Sequence, residues 1–445
     1  MINETILLLI YYYSYEDRNH RVLKHIVSSY CPAYLPFNLY LYEPLEKIFS
    51  RVILYDYLKR TAEIGIKGVN KEIIDLVRSE HPKYVIWTSF YYDIQRSTLE
   101  AIEKESAIVV GWFFDDEWRF EDYSRWWIPY LDYCVTNAIE AVPKYRALGA
   151  RVIQTIPNTG IAIERDWSHI DERYEVSFVG SRFYTDREQW ISELSKRGIG
   201  VHLFGGGWGG YVSFEEMIDI FQSSKINLNF SRAWLNRKPQ MKGRIFQVCM
   251  AGGFLLTEYV PGIEQYFEVD KEIVCFRNAE EMTDKITYYL NHDEARRAVA
   301  QAGWKRATNE YTSFHMVSKV FRQIEQEVAS DRKKIAAGTT KLEMPLRVRM
   351  LPGSYHFQWG RTLLEENYGG LWKDQLALSI SYFPFNLGAW YYYIVGFLPS
   401  FMRRALIRVY KAAEAVERSL GWPYAKLVSW LILRNRTAQN GKQTS

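Results

Sequence analysis

The chain has 445 residues, 48% of them hydrophobic and 24% charged, which excludes a disordered polymer. At roughly 150 residues per domain the length allows two or three domains. A formal net charge of +4 is too small to suggest nucleic acid, and none is expected as a partner. The first predicted element is a buried strand at 5–13 (TILLLIYYY). Glu4 and the missing positive n-region argue against a signal peptide, and the apolar run is too short to span a bilayer. Asp17, Arg18 and His20 follow in a loop at that strand's carboxyl end, open to an acceptor or simply solvated. A helical stretch at 70–80 and strands at 84–90, 107–114 and 132–136 come next. A helix at 138–148 and a strand at 151–156 complete the first series. Short apolar runs alternating with amphipathic segments predict a parallel sheet with helices on both faces.

The segment 157–173 carries Pro, Gly and charges, as a linker does, and the pattern then restarts. Strands are predicted at 175–180, 200–204, 226–230, 254–257 and 272–276, with helices at 279–290 and 315–328. The expected fold class is therefore α/β, with two tandem doubly wound Rossmann-like domains facing a cleft, at 1–165 and 172–330. From 331 to 445 a polar linker leads into a helical, aromatic and basic C-terminal extension. Over 401–436 it holds eight basic residues and two acidic ones. Pro384, Gly388, Gly396 and Pro399 interrupt the apolar run, so a transmembrane helix is not expected. Peripheral membrane contact through 376–436 is one reading; a packed helical appendage or a dimer contact is the other. Cys31, Cys134, Cys249 and Cys275 show no paired spacing, so buried free thiols in a reducing, cytoplasmic compartment are expected, at most peripheral at the inner membrane face.

Four stretches carry candidate chemistry. Lys242 and Arg244 open a predicted helix, where the macrodipole disfavours cations unless something negative sits there. They follow the strand INLNF at the carboxyl edge where such folds bind ligands, so a diphosphate is one reading and a basic helix start the other. Gly252 and Gly253 close that helix, and the strand after it ends on Thr257 and Glu258. In "GGGWGG", Gly205 and Gly206 permit close backbone approach and Trp208 offers a stacking surface; the alternative is a plain turn. Arg182 sits at an equivalent strand end, as a phosphate ligand or a surface ion-pair partner. Asp115 and Asp116 follow a buried strand in "FFDDEWRFED". Three readings stay open for them: base toward an acceptor hydroxyl, N-cap of a helix over 117–131, or metal ligands.

The block "KGRIFQVCMAGGFLLTEY", with the EIVCF strand, Tyr288 to Leu290, Gly303, Arg306 and Tyr311-Thr312, resembles CgeB-like glycosyltransferases of the group 1 class. "GWFFDDEWRF", "VSFVGSRFYTDR" and "KINLNFSR" fit the same proteins, so the likeness spans roughly 80 to 325. The resemblance implies a GT-B fold and a hexosyltransferase-like, metal-independent enzyme without a cofactor. Its expected partners are a nucleotide diphosphate-sugar donor and a glycan, lipid-linked or protein acceptor. By this resemblance Lys242 and Arg244 neutralise the donor diphosphate. The donor set then comprises Arg182, Gly205, Gly206, Trp208, Lys242, Arg244, Gln247, Gly252, Gly253, Thr257 and Glu258, with Asp115 and Asp116 catalytic. Gln247 departs from the family pattern, which has glutamate there to hold the donor ribose.

Overall fold

The computed structural model describes residues 2–11, 20–23, 38–157, 160–182, 186–210, 212–232, 238–329 and 343–419. Asp17, Arg18, Cys31 and the basic residues Lys426, Arg434 and Arg436 lie outside them. The chain divides into two compact units. One comprises residues 1–18, 30–59 and 70–342; the other comprises 19–29, 60–69 and 343–445.

The larger unit holds two sheets. The first contains β1 (Ile2–Ile10), β2 (Phe49–Asp56), β3 (Tyr84–Ser89), β4 (Ile108–Phe113), β5 (Tyr133–Thr136) and β6 (Val152–Gln154), in the order β2-β1-β3-β4-β5-β6. The second contains β7 (Tyr174–Val179), β8 (His202–Phe204), β9 (Ser224–Asn229), β10 (Leu255–Glu258) and β11 (Val274–Phe276), in the order β11-β10-β9-β7-β8. Every pairing is parallel; Leu7, for instance, sits between Ile53 and Val85. Central strands of such sheets are covered on both faces and so read as unbroken apolar runs. Ile6 to Ile10 of β1 are essentially inaccessible to water, as are Val85, Ile86 and Trp87 of β3. In the second sheet Val176, Phe178, Ile226, Leu228, Leu256, Val274 and Phe276 make one cluster. Burying each such side chain contributes roughly 1.5–3 kcal/mol.

Two elements differ from the sequence expectation. β2 is an edge strand paired only with β1, and Ser50, Arg51 and Leu54 on it are exposed. One open side removes the apolar contrast by which the other strands are recognised. The expected helix over 117–131 is a single short turn, Asp116–Arg119, followed by 3₁₀ turns at Ser124–Trp126 and Ile128–Tyr130. Pro129 and the aromatic pair Trp126-Trp127 fall where the helix was to continue, and both tryptophans are buried. Tertiary packing decides this stretch, not local propensity.

The smaller unit is helical: Leu346–Glu365, Trp372–Tyr382, Leu387–Gly396 and Ser400–Ser419. Trp359, Leu363, Trp372, Leu376 and Tyr392 form its interior. Arg361 pairs with Glu365 (3.0 Å) and Glu414 (3.1 Å), and Lys411 with Glu365 (2.7 Å). Among the described residues no helix is long and apolar enough to cross a membrane.

Candidate active site

β4 ends in the acidic turn. Asp115 adopts a left-handed backbone conformation (φ 60°), which Asp tolerates better than most residues, and this reverses the chain beyond the strand. Neighbouring carboxylates thereby acquire different surroundings. Asp116 is buried inside the first domain, where it accepts hydrogen bonds from Thr136 Oγ1 (2.6 Å), Tyr145 OH (2.8 Å) and Ser124 Oγ. Burial pushes its pKa up against the pull of those hydroxyls. Asp115 makes no side-chain cap; its Oδ1 accepts from Gln240 Nε2 at 2.7 Å. Glu117 Oε2 accepts from the same Nε2 at 3.0 Å. The Asp116 carboxylate thus lies among hydroxyls in the interior, and Glu117 stands beside Asp115 at the Gln240 amide. Asp115 holds the N-cap position of the turn Asp116–Arg119 through its backbone carbonyl alone, which accepts from Trp118 N (3.1 Å) and Arg119 N (3.0 Å). As for a metal, no group of three or more potential ligands gathers among the described residues, and the two aspartates face different partners.

Gln240 comes from the second domain, where its N–H donates to the Ser231 carbonyl at 2.7 Å and Pro239 bridges Arg232. Its amide nitrogen serves the two carboxylates and its oxygen accepts from Lys242 Nζ. Carboxylate pair, amide and ammonium thus form one polar chain across the two sheet domains. Lys242 is the N-cap residue, with extended backbone (φ −91°, ψ 142°), of the helix Gly243–Met250. No side chain caps that helix and no acid lies in its first turn, so an anion there meets backbone N–H groups as well as the ammonium. Burial lowers the Lys242 pKa, with the Arg187 guanidinium adding to the effect and Asp115, Glu117 and Asp186 opposing it. Burial, then the Asp115 charge, raises Glu117 to about 8.

The Glu117 shift has a measurable consequence. The folded carboxyl keeps its proton where the unfolded one has lost it, so stability falls as pH rises from about 4.5 to about 8. Glu117→Gln removes that dependence. The variant is expected to melt above the wild type at pH 8, by a gap that closes toward pH 4.5 at no more than about 1.4 kcal/mol per pH unit. Melting curves across that range check it; parallel curves would refute the assignment.

The other expected donor residues form separate groups. At the ends of β7 and β8, Arg182 N donates to the Gly206 carbonyl (2.7 Å), and its guanidinium lies 5.3 Å from the Trp208 ring centre. That guanidinium also pairs with Glu188, the ion-pair reading. Gly205 (φ 106°) crosses the Gly180 carbonyl so closely that a Cβ would lie 2.6 Å from its oxygen. Arg244 lies against Met217 Sδ and over the Phe221 ring (5.2 Å), and donates to Gln247 Oε1 at 3.2 Å.

Four further residues of the expected donor set are buried and held by neighbours within the protein. Gly252 and Gly253 are walled in: a Cβ on the first would meet Arg165 Cδ at 2.4 Å, and one on the second Asn227 Nδ2 at 2.7 Å. Thr257 is wholly buried and accepts from Asn229 Nδ2 at 2.9 Å. Glu258 is a tether, accepting from Ser231 N (3.0 Å) and Arg232 Nε (2.8 Å). Sequence reasoning missed Glu117, Gln240 and the buried Arg187, which donates to the Ser181 carbonyl at 2.6 Å. Gln240 pairs with acids more than 120 residues away, and no local pattern encodes that. A cavity of about 490 Å³ beside Ile2, Ile48, Phe321 and Arg322 shares no residue with these groups.

Residues 187–322 match a family model described as glycosyl transferase-like. The match includes Gln240, Lys242, Arg244 and Gln247. No curated protein matches the chain. Among solved structures, TarM aligns at 11% identity over 57% of this chain, with a TM-score of 0.44; the chain spans only 58% of its length. HepE from Anabaena, in complex with UDP and glucose, aligns at 11% identity over 74% of this chain and 100% of its own, TM-score 0.47. Sucrose-phosphate synthase from Thermosynechococcus elongatus aligns at 7% identity over the same shares, TM-score 0.49. Residues 187–322, which include most of the second of two tandem parallel sheets, thus form a glycosyl transferase-like domain.

Proposed function

We propose that the protein transfers a sugar, of the hexose class, from a nucleotide diphosphate-sugar to a hydroxyl on a glycan, lipid-linked or protein acceptor. The observation that supports this reading is the placement of Lys242 at an uncapped helix start, facing Asp115 and Glu117 through Gln240. Lys242 and the first-turn N–H groups hold the diphosphate, which gains charge as the glycosidic C–O bond breaks and leaves with the bonding pair. The acceptor oxygen forms the new bond to the anomeric carbon, and its proton passes to the Asp115–Glu117 pair. No cofactor enters this scheme, and the cations take the place of a metal; full turnover in EDTA is the expected result. Three buried free thiols among the described residues suit a reducing, cytoplasmic setting.

A panel of UDP-, GDP- and dTDP-sugars, scored by melting temperature and by transfer, tests the reading. At least one donor is expected to raise the melting point, since ligand binding to the native state does so by mass action. No shift from any of them would sink it.

Gln247 favours a second reading, a sugar-nucleotide binding protein without turnover. Its Oε1 already faces Arg244, so glutamate there forms a charge-assisted pair within the same space. Gln247→Glu is expected to keep or improve donor use in a transfer assay. A variant that binds donors yet transfers nothing supports the binding-only reading.

A further inference from the structure

We propose that the C-terminal helical unit docks on the surface of an anionic lipid bilayer through the helix Leu387–Gly396 and the outward face of Ser400–Ser419. The first of these helices (LGAWYYYIVG) contains no charged residue. One face packs inward through Ala389, Tyr392 and Val395. The opposite face is also apolar: Leu387, Trp390, Ile394, Phe397 and Phe401 follow one another three or four residues apart and continue into the next helix. Leu387 is 77% exposed, Ile394 62% and Phe401 70%. A helix apolar all round belongs in a core or in lipid, and this one has only half a core.

Charge selects the occupant. Between Gln375 and Ala413 the chain has four cations and no acid. On the helix Ser400–Ser419, Arg404 and Arg408 lie at i and i+4, beside Phe401, Ala405 and Val409 at i, i+4 and i+8; all five are exposed, while Lys411 pairs with Glu365. Inward-facing positions on this helix include Ile407, which is buried. A pair of arginines flanking an apolar row is the pattern of a helix lying in the headgroup layer. A second protein copy would instead set these cations against each other. Insertion is shallow, because no described helix is able to cross the bilayer.

The inference does not rest on the donor site and fails separately from it. The full chain is sedimented with vesicles of phosphatidylcholine alone or mixed with phosphatidylglycerol, at low and high salt. Binding is expected only to the anionic vesicles and is expected to weaken with salt. Arg404→Gln with Arg408→Gln should weaken it about thirty-fold, from about 1 kcal/mol per cation. Ile394→Asp with Phe401→Asp should abolish it while melting and donor-induced shifts stay unchanged, since both positions are exposed. Wild-type protein that ignores anionic vesicles overturns the proposal. So does equal binding by the double-Gln variant. A concentration-dependent dimer dissolved by Ile394→Asp, or vesicle binding that emerges only after removal of residues 420–445, assigns the face to another occupant and overturns it too.

Discussion

Replacing Lys242 by Ala is expected to lower kcat/KM for the donor by about 10²–10³-fold while the protein stays folded. The ammonium is the residue of the second domain that joins the acidic pair of the first through Gln240. Lys242 is also the N-cap residue, without a side-chain cap bond, of the helix Gly243–Met250. A diphosphate arriving there competes with the Gln240 amide oxygen for Lys242 and gains from the ammonium most strongly as its charge grows. Arg244→Ala should cost less, because that guanidinium already rests on Met217, Phe221 and Gln247. Donor titrations on both variants, with circular dichroism as a control on folding, separate the two effects. Equal and wild-type turnover in both would remove the phosphate site from the start of this helix.

Asp116→Ala should instead act on stability, lowering it by about 3 kcal/mol or more. Three hydroxyls, from Ser124, Thr136 and Tyr145, converge on the carboxylate in the interior of the first domain. Removing it leaves buried donors unmade, at about 1–3 kcal/mol for each one that finds no other partner. Asp115→Ala, one residue away, should leave the melting point nearly unchanged and impair transfer. Thermal melts and turnover on the two variants give opposite patterns if the division of labour is right. An Asp116→Ala protein that melts like the wild type and transfers nothing would return the catalytic role to that residue.

The parallel sheets were legible because central strands bury both faces and leave short apolar runs such as ILLLI and VVGWF. β2 was not, because half of it faces solvent. Lys242 stood out as a cation at a helix start, and geometry gave it a setting. The acidic turn was legible as a place but not as roles: composition does not reveal that a left-handed Asp115 sends Asp116 inward. Gln240 left no trace in the sequence at all. A neutral amide acquires meaning only from what the fold brings to either end of it.

That amide also sets what evolution is free to write at its position. A glutamate at 240 would face two carboxylates, and a lysine would face Lys242. An asparagine is too short by one methylene to span the same groups. Charge of either sign is therefore penalised there, and only a side chain that donates at one end and accepts at the other fits. In chains that share this architecture, residue 240 is expected to covary with 117 and 242, drifting from glutamine only where one of those charges has been lost.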